Sequence, residues 1–209
     1  MPQAHKTLEQ QLITIIHDSV WFMQALSAAQ DMNFSSWCIG AGAVRNLVWD
    51  HLHGYQHSSY LHDIDLAYFD PDENIGMENK HQAILSQKSP AFPWEVTNQA
   101  YVHYWYKQYF GYTVPALTSL ESAIATWPEY ATSVGITLTP KNDIQIIAPY
   151  GLNDLFAMHV RRNPERVDIA TYRQRILSKR YQERWPQVTI FPESSIFANH
   201  SSTLNPMRN

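Results

Sequence analysis

Apolar residues recur at Leu8, Leu12, Ile15, Ile16, Val20, Met23 and Leu26, close to a 3.6-residue period, and predict one helix from Thr7 to about Met32. Thr7 and Gln10 stand in capping-box register at its start. Trp37–Ile39 is a short apolar run ending in Gly40, which reads as a buried strand. Helical spacing returns at Val44, Leu47, Val48 and Leu52, predicting a helix from Ala43 to about His53, with Gly54 placed to terminate it. Residues 56–62 form a polar loop. From Asp63 to Phe69 the period changes to two: Ile64, Leu66 and Tyr68 share one face, and Asp63, Asp65, Ala67 and Phe69 the other.

Asp70-Pro71-Asp72 stops that strand. A helix is predicted over Met77–Gln87, a strand over Trp94–Thr97, and an aromatic-rich segment from Asn98 to Phe110, ended by Gly111. Ser119–Thr126 suits a helix, with Thr118 and Glu121 in capping-box register. Val134–Leu138 and Ile144–Ala148, separated by a polar turn containing Pro140, read as a hairpin. Two further helices are predicted over Gly151–Val160 and Glu165–Trp185. In the second, Ile169, Tyr172, Ile176, Lys179 or Arg180, and Tyr181 define a partly apolar stripe, and the arginines fall largely outside it, on solvated surface. The sum is an α/β (α+β) fold with a helical C-terminal portion. The expected organisation is a single domain over 1–190, with its core at about 33–115, a hairpin and helical part at about 116–190, and a loose tail over 191–209.

Composition narrows the class. In 209 residues, 44% are hydrophobic and 16% charged, which excludes a disordered chain. The single cysteine, Cys38, excludes an intramolecular disulfide. No apolar run reaches a membrane span, and the N-terminus lacks the basic-then-apolar order of a signal peptide. The expectation is a soluble, cytoplasmic chain. A net charge of −4 disfavours non-specific nucleic-acid binding by the whole surface. The charge is uneven: six acids and one base lie between Leu61 and Lys80, and eight bases and three acids between Arg161 and Arg184. One region can hold a cation and the other an anion.

The sharpest chemical feature is Asp63 with Asp65. Residues i and i+2 of a strand share a face, about 6.7 Å apart at Cα. Two carboxylates so placed repel by about 3 kcal/mol at ~5 Å and an effective dielectric near 20. Water at an exposed strand end, a basic partner, a shared proton or a divalent cation can offset this. Paired hard oxygens suit Mg²⁺ completed by phosphate and water. Upstream, a strand runs into the small-residue turn Gly40-Ala41-Gly42 and then a helix carrying Arg45, where first-turn N–H groups can receive phosphate oxygens. The turn lacks the Walker Lys-Ser/Thr ending, and no Gly-x-Gly-x-x-Gly is present.

Together, Ile39-Gly40-Ala41-Gly42 and His62-Asp63-Ile64-Asp65-Leu66 resemble the signature of the polymerase-beta-like nucleotidyltransferase superfamily. Gly42-Ala43-Val44-Arg45-Asn46 resembles the Gly-Ala-Val-Arg-Asp run of CCA-adding enzymes. At finer grain the chain resembles a bacterial family of nucleotidyltransferase-like proteins of similar length, once carried as a domain of unknown function. The matching stretches are residues 63–70, 94–103 and 148–156. Two departures stand out: Ala41 occupies a position that is often Gly or Ser, and twenty residues, many of them a His-rich loop, separate Gly42 from Asp63.

The resemblance implies a small mixed sheet flanked by helices. It implies a third carboxylate, for which Glu95 is the candidate, and two Mg²⁺ ions (Mn²⁺ as an alternative) held by Asp63, Asp65 and Glu95. Gly40, Ala41, Gly42 and Arg45 would bind phosphate, and an NTP would donate its nucleoside monophosphate to a hydroxyl, releasing pyrophosphate. Asn98, Arg161 and Arg162 are candidate substrate-binding residues, though Asn98, Gln99 and His103 equally suit backbone capping. The acceptor expected is a small molecule or a protein, with nucleic acid disfavoured and no membrane involved. Two other readings stay open: a catalytically silent nucleotide sensor or interaction module, and a metal-dependent hydrolase using His51, His53, His57 and His62 with the two aspartates.

Overall fold

The computed structural model describes residues 6–192; the expected tail over 191–209 lies outside them apart from Phe191 and Pro192. The N-terminal helix is capped as the sequence predicts, with the Thr7 side chain and Gln10 bonded reciprocally. It is not one helix, however. α1 (Leu8–Asp18) stops at Ser19, whose hydroxyl accepts from the Phe22 amide and starts α2 (Val20–Gln30) at 90° to α1. A serine that can cap outcompetes the unbroken period, which both helices preserve on their buried faces. Among the described residues no single helix is long and apolar enough to cross a membrane.

β1 (Trp37–Gly40) leads through Ala41 into α3 (Gly42–Leu52). β2 (Ile64–Tyr68), α4 (Met77–Lys88) and β3 (Trp94–Asn98) form a crossover unit, so β2 and β3 pair in parallel. After one 3₁₀ turn come α5 (Val102–Phe110) and then α6 (Leu120–Ile124). The α6 cap is Ser119 with Ser122, one residue after the predicted Thr118 and Glu121. β4 (Gly135–Leu138) and β5 (Ile144–Ile147) make the predicted hairpin. The five-stranded sheet has the order β3-β2-β1-β4-β5, with β1 antiparallel to both neighbours.

The C-terminal portion keeps helices, as expected, but shortens and splits them and adds a two-stranded sheet. α7 is only Asn153–Phe156, because Met158 turns at φ +54° into β6 (His159–Val160). The long final helix is split into α8 (Ile169–Lys179), capped by Asp168, and α9 (Tyr181–Arg184). The break is Arg180 at φ +49°. β7 (Thr189–Ile190) then pairs in parallel with β6.

The two faces of the sheet differ. Ile39, Ile64, Leu66, Val96 and Ile136 enter the main core beneath the helices. The other face is built from small residues: Cys38 and Ala67 contact Leu120 and Ile124 of α6. A Cβ on Gly135 would meet Cys38 Sγ at 2.6 Å, and one on Gly40 would meet the Trp127 ring at 2.4 Å. This second cover stops short of the β2–β3 edge, and an open cleft begins there.

Candidate functional site

Asp65 and Glu95 are direct partners in the parallel β2–β3 register, so both side chains stand on the sheet face that opens to the cleft. Asp63 lies one residue before β2. Burial raises the Asp65 carboxyl most, and the Asp63 and Glu95 charges raise it further, to about 7. Glu95 is also raised, by burial and then by Asp63. Asp65 therefore feels both other carboxylates, and Glu95 feels Asp63.

Two cations answer them from α8. Arg175 and Lys179 both favour ionisation of Asp65, and Lys179 that of Glu95. Lys179 is itself lowered, by burial first and then by Arg175 and Arg45. Arg175 is fixed from behind: its Nε donates to Glu129 Oε1 at 2.5 Å. Glu129 is 1% exposed and also accepts from Thr132 and Tyr181. Burial opposes its charge, yet Arg175, aided by Arg45, holds it ionised and below the usual range.

Two cavities adjoin Asp65 and Glu95; Asp63 and Lys179 line neither. One of about 180 Å³ is lined by Ala41, Asp65, Glu95, Trp127 and Arg175 among others. The other, of about 460 Å³, adds Trp105, Tyr106 and Phe110 of α5, with Arg166 and Gln174. Thr97 and Gln99, in alternation with Glu95, line both. At the edge of the smaller cavity Ala41 takes φ +49°, and α3 begins there with no side-chain cap on its first-turn donors.

The profile of a family described as Nucleotidyltransferase matches residues 27–190, most of the chain. The chain belongs to this nucleotidyltransferase family. A solved structure described as revealing a CCA-adding enzyme head domain is 28% identical, with a TM-score of 0.76 over 87% of this chain and 95% of that one. A second, a tRNA-processing enzyme in apo form I, is 13% identical over 90% of this chain and 45% of that one, with a TM-score of 0.47. A comparison with curated proteins returns no match.

The nucleotidyltransferase places its other candidate residues less simply. Asn98 does not face the cleft. It alternates with Trp94 and Val96 on the buried side, where Oδ1 accepts from the Asp70 and Ala100 amides and Nδ2 donates to the Asp70 carbonyl. Its neighbour Gln99 takes the cleft position instead. Arg161 and Arg162 line neither cavity beside the carboxylates. Arg161 forms a bidentate pair with Asp154, and Arg162 donates to the Val167 carbonyl. Arg45 is no surface charge: at 2% exposure it lies among the rings of Trp49, Tyr181 and Trp185, its Nη2 donating to Asn46. Its Nε and Nη1 lack hydrogen-bond partners. Gly40 is required by the Trp127 indole packed on it, whereas Gly42 has open space, with only Arg45 within 4 Å.

Sequence reading missed Arg175, which it left on solvated surface, and gave no role to Lys179, which it placed with the partly apolar stripe of the last helix. The signal was Glu129, an acid in a segment that folds into the core and demands a cation. Among the described residues no three His, Cys, Asp or Glu side chains form a ready-made metal cage. Of the loop histidines, His53 has both ring nitrogens bonded, to the Trp49 carbonyl and the Gln187 amide. The carboxylates still fit a hard divalent ion. Mg²⁺ is commonly held by one or two carboxylates, with water and substrate phosphate completing its shell. The mutual repulsion around Asp65 is what such an ion relieves.

Proposed function

We propose that this nucleotidyltransferase moves a nucleoside monophosphate from an NTP to a hydroxyl acceptor and releases pyrophosphate. The observation that carries the reading is the Asp65–Glu95 pair, in register at the mouth of a cleft and faced by Arg175 and Lys179. Asp63, Asp65 and Glu95 would hold Mg²⁺, two ions in this reading, with Mn²⁺ able to substitute. When bound, the ions neutralise phosphate charge and acidify the attacking hydroxyl.

The chain's own groups account for the rest. Arg175 and Lys179 attract the triphosphate and stabilise the charge that gathers on the departing pyrophosphate. The Gly40-Ala41-Gly42 turn supplies the uncapped donors of α3, with Arg45 contributing positive potential from beneath. Glu95, the more exposed of the strand pair, takes the hydroxyl proton as that oxygen bonds to the α-phosphorus. The bond from the α-phosphorus to the bridging oxygen breaks, and its electron pair leaves with pyrophosphate. The acceptor is a small molecule or a protein; RNA is a control, prompted by the CCA-adding neighbour.

The test is pyrophosphate release with each NTP and Mg²⁺ across a panel of hydroxyl compounds, in wild type, Asp65→Asn and Glu95→Gln. Release in wild type and at least ~10²-fold loss in both variants, with cooperative melting retained, supports the reading. NTP binding without release in wild type would indicate a sensor. Release that survives Asp65→Asn would rule out this assignment of the carboxylates.

A further inference from the structure

We propose that the cavity of about 460 Å³ leading away from Asp65 and Glu95 is the acceptor site. It takes a small ring-bearing hydroxyl compound whose anionic group sits on Arg166. The inference rests on the transferase reading above and adds the class of acceptor.

The wall is aromatic: α5 contributes Trp105, Tyr106 and Phe110. Flat rings in such a wall favour a ring in the ligand. The volume is that of a small-molecule site rather than of a groove for a folded partner. The charges specify the remainder. Among the described residues, Asp65 and Glu95 are the only carboxylates in the lining, and both already face the cations of α8. A polycationic acceptor would find nothing else to pair with.

Arg166 is the unusual member. It is 8% exposed, and its Nη2 donates to the Pro115 carbonyl at 2.6 Å. Its guanidinium lies 5.5 Å from the Tyr106 ring centre. No carboxylate among the described residues forms an ion pair with it, whereas Arg161, Arg175 and Arg180 each have one. Burial opposes its charge, and Tyr106, Glu165 and Tyr112 favour it; with no ion pair, one carbonyl and one ring face offset only part of the cost. Arg166 also lines a second cavity of about 620 Å³, whose lining includes Arg162, Glu165 and Asp168, so the residue stands where the two spaces meet. An anion arriving there from the ligand completes the pair. The ring then lies against α5, and the hydroxyl end is directed toward Asp65 and Glu95.

Phenyl phosphate, phenol, inorganic phosphate and benzylamine serve as probes, titrated by ligand-observed NMR and calorimetry against the full chain. Phenyl phosphate is expected to bind at least ~10-fold more tightly than each of the other three. Arg166→Gln should reduce its affinity to that of phenol, and Phe110→Ala should weaken both phenyl phosphate and phenol. Should Arg166→Gln fail to melt cooperatively, Phe110→Ala and Trp105→Ala carry the test, since Phe110 is 42% exposed and its loss leaves the core intact. Phenyl phosphate binding no better than phenol, equal affinity in the variants, or preference for benzylamine would overturn the proposal. So would displacement of phenyl phosphate by a short single-stranded RNA at lower concentration than by phenyl phosphate itself. Mg²⁺–NTP titration of the same wild-type sample separates the two readings. NTP binding without phenyl phosphate binding removes only the acceptor site; absence of NTP binding removes the transferase reading.

Discussion

Replacing Asp65 by Asn should stabilise the metal-free protein while abolishing its function. The folded state holds this carboxyl at about 7 against an ordinary 3.8, because burial and then Asp63 and Glu95 disfavour its charge. A raised carboxyl in the folded state means extra stability below the unfolded value, lost as pH climbs toward the folded one. The window is therefore about pH 4 to 7, between the ordinary and the folded value. A shift of that size corresponds to about 4 kcal/mol at most. Asp65 borders an open cavity, so water relieves part of it, and about 2 kcal/mol is the expectation. Urea unfolding with chelator at about pH 5 and about pH 8, on either side of the folded value, measures it. Wild type should lose stability between the two conditions relative to Asp65→Asn, and the variant should be the more stable at the higher pH. Mg²⁺ with NTP should narrow the gap by favouring folded wild type alone. A variant less stable than wild type at the higher pH, or one with an unchanged pH dependence, would show that Asp65 carries no such strain. A gain in stability at the cost of function is what strained sites show when relieved.

Other outcomes follow from the same geometry. Glu129→Gln leaves Arg175 without its buried counter-charge; chemical denaturation should show about 3 kcal/mol of destabilisation, and NTP affinity should fall. Lys179→Met should raise KM for NTP by ~10-fold and leave unfolding free energies within ~0.5 kcal/mol, because Lys179 faces the carboxylates from a partly exposed position. Gly40→Ala forces the Trp127 indole aside and should cost about 2 kcal/mol, with a shift in tryptophan emission reporting the displaced ring. Arg180→Gly should gain about 0.5 kcal/mol, measured by urea unfolding, since Arg180 sits at φ +49° with only a surface pair to Glu183.

Much of this arrangement was legible in the residue pattern. Period-two alternation from Asp63 to Phe69 places the aspartates on one face, and the same alternation at Trp94–Thr97 places Glu95 opposite Trp94 and Val96. Their adjacency needs only the parallel crossover through α4. The misses share a physical cause, which is that a long-range partner decided what local pattern left open. Ser19 and Arg180 break continuous helical periods because capping and a left-handed turn let each half pack at its own angle. Arg175 reads as surface until Glu129, far away in sequence, is found buried beside it. Asn98 reads equally as a ligand group or a backbone cap, and the Asp70 and Ala100 backbone decides for the cap. Gly40 reads as part of a phosphate turn, and the fold adds a second demand on it that the local pattern did not show, the Trp127 indole resting where a Cβ would go.

Function, as proposed, depends on Asp63, Asp65 and Glu95 together holding the metal that accompanies the NTP. Mn²⁺ added with a non-hydrolysable NTP to isotope-labelled protein probes this by paramagnetic broadening. Broadening is expected to centre on Asp63–Leu66, Glu95–Thr97 and the Ala41 turn, and to disappear in Asp65→Asn. If it centres instead on the histidines of residues 51–62, or persists in that variant, the metal is held elsewhere and the three carboxylates do not form its site.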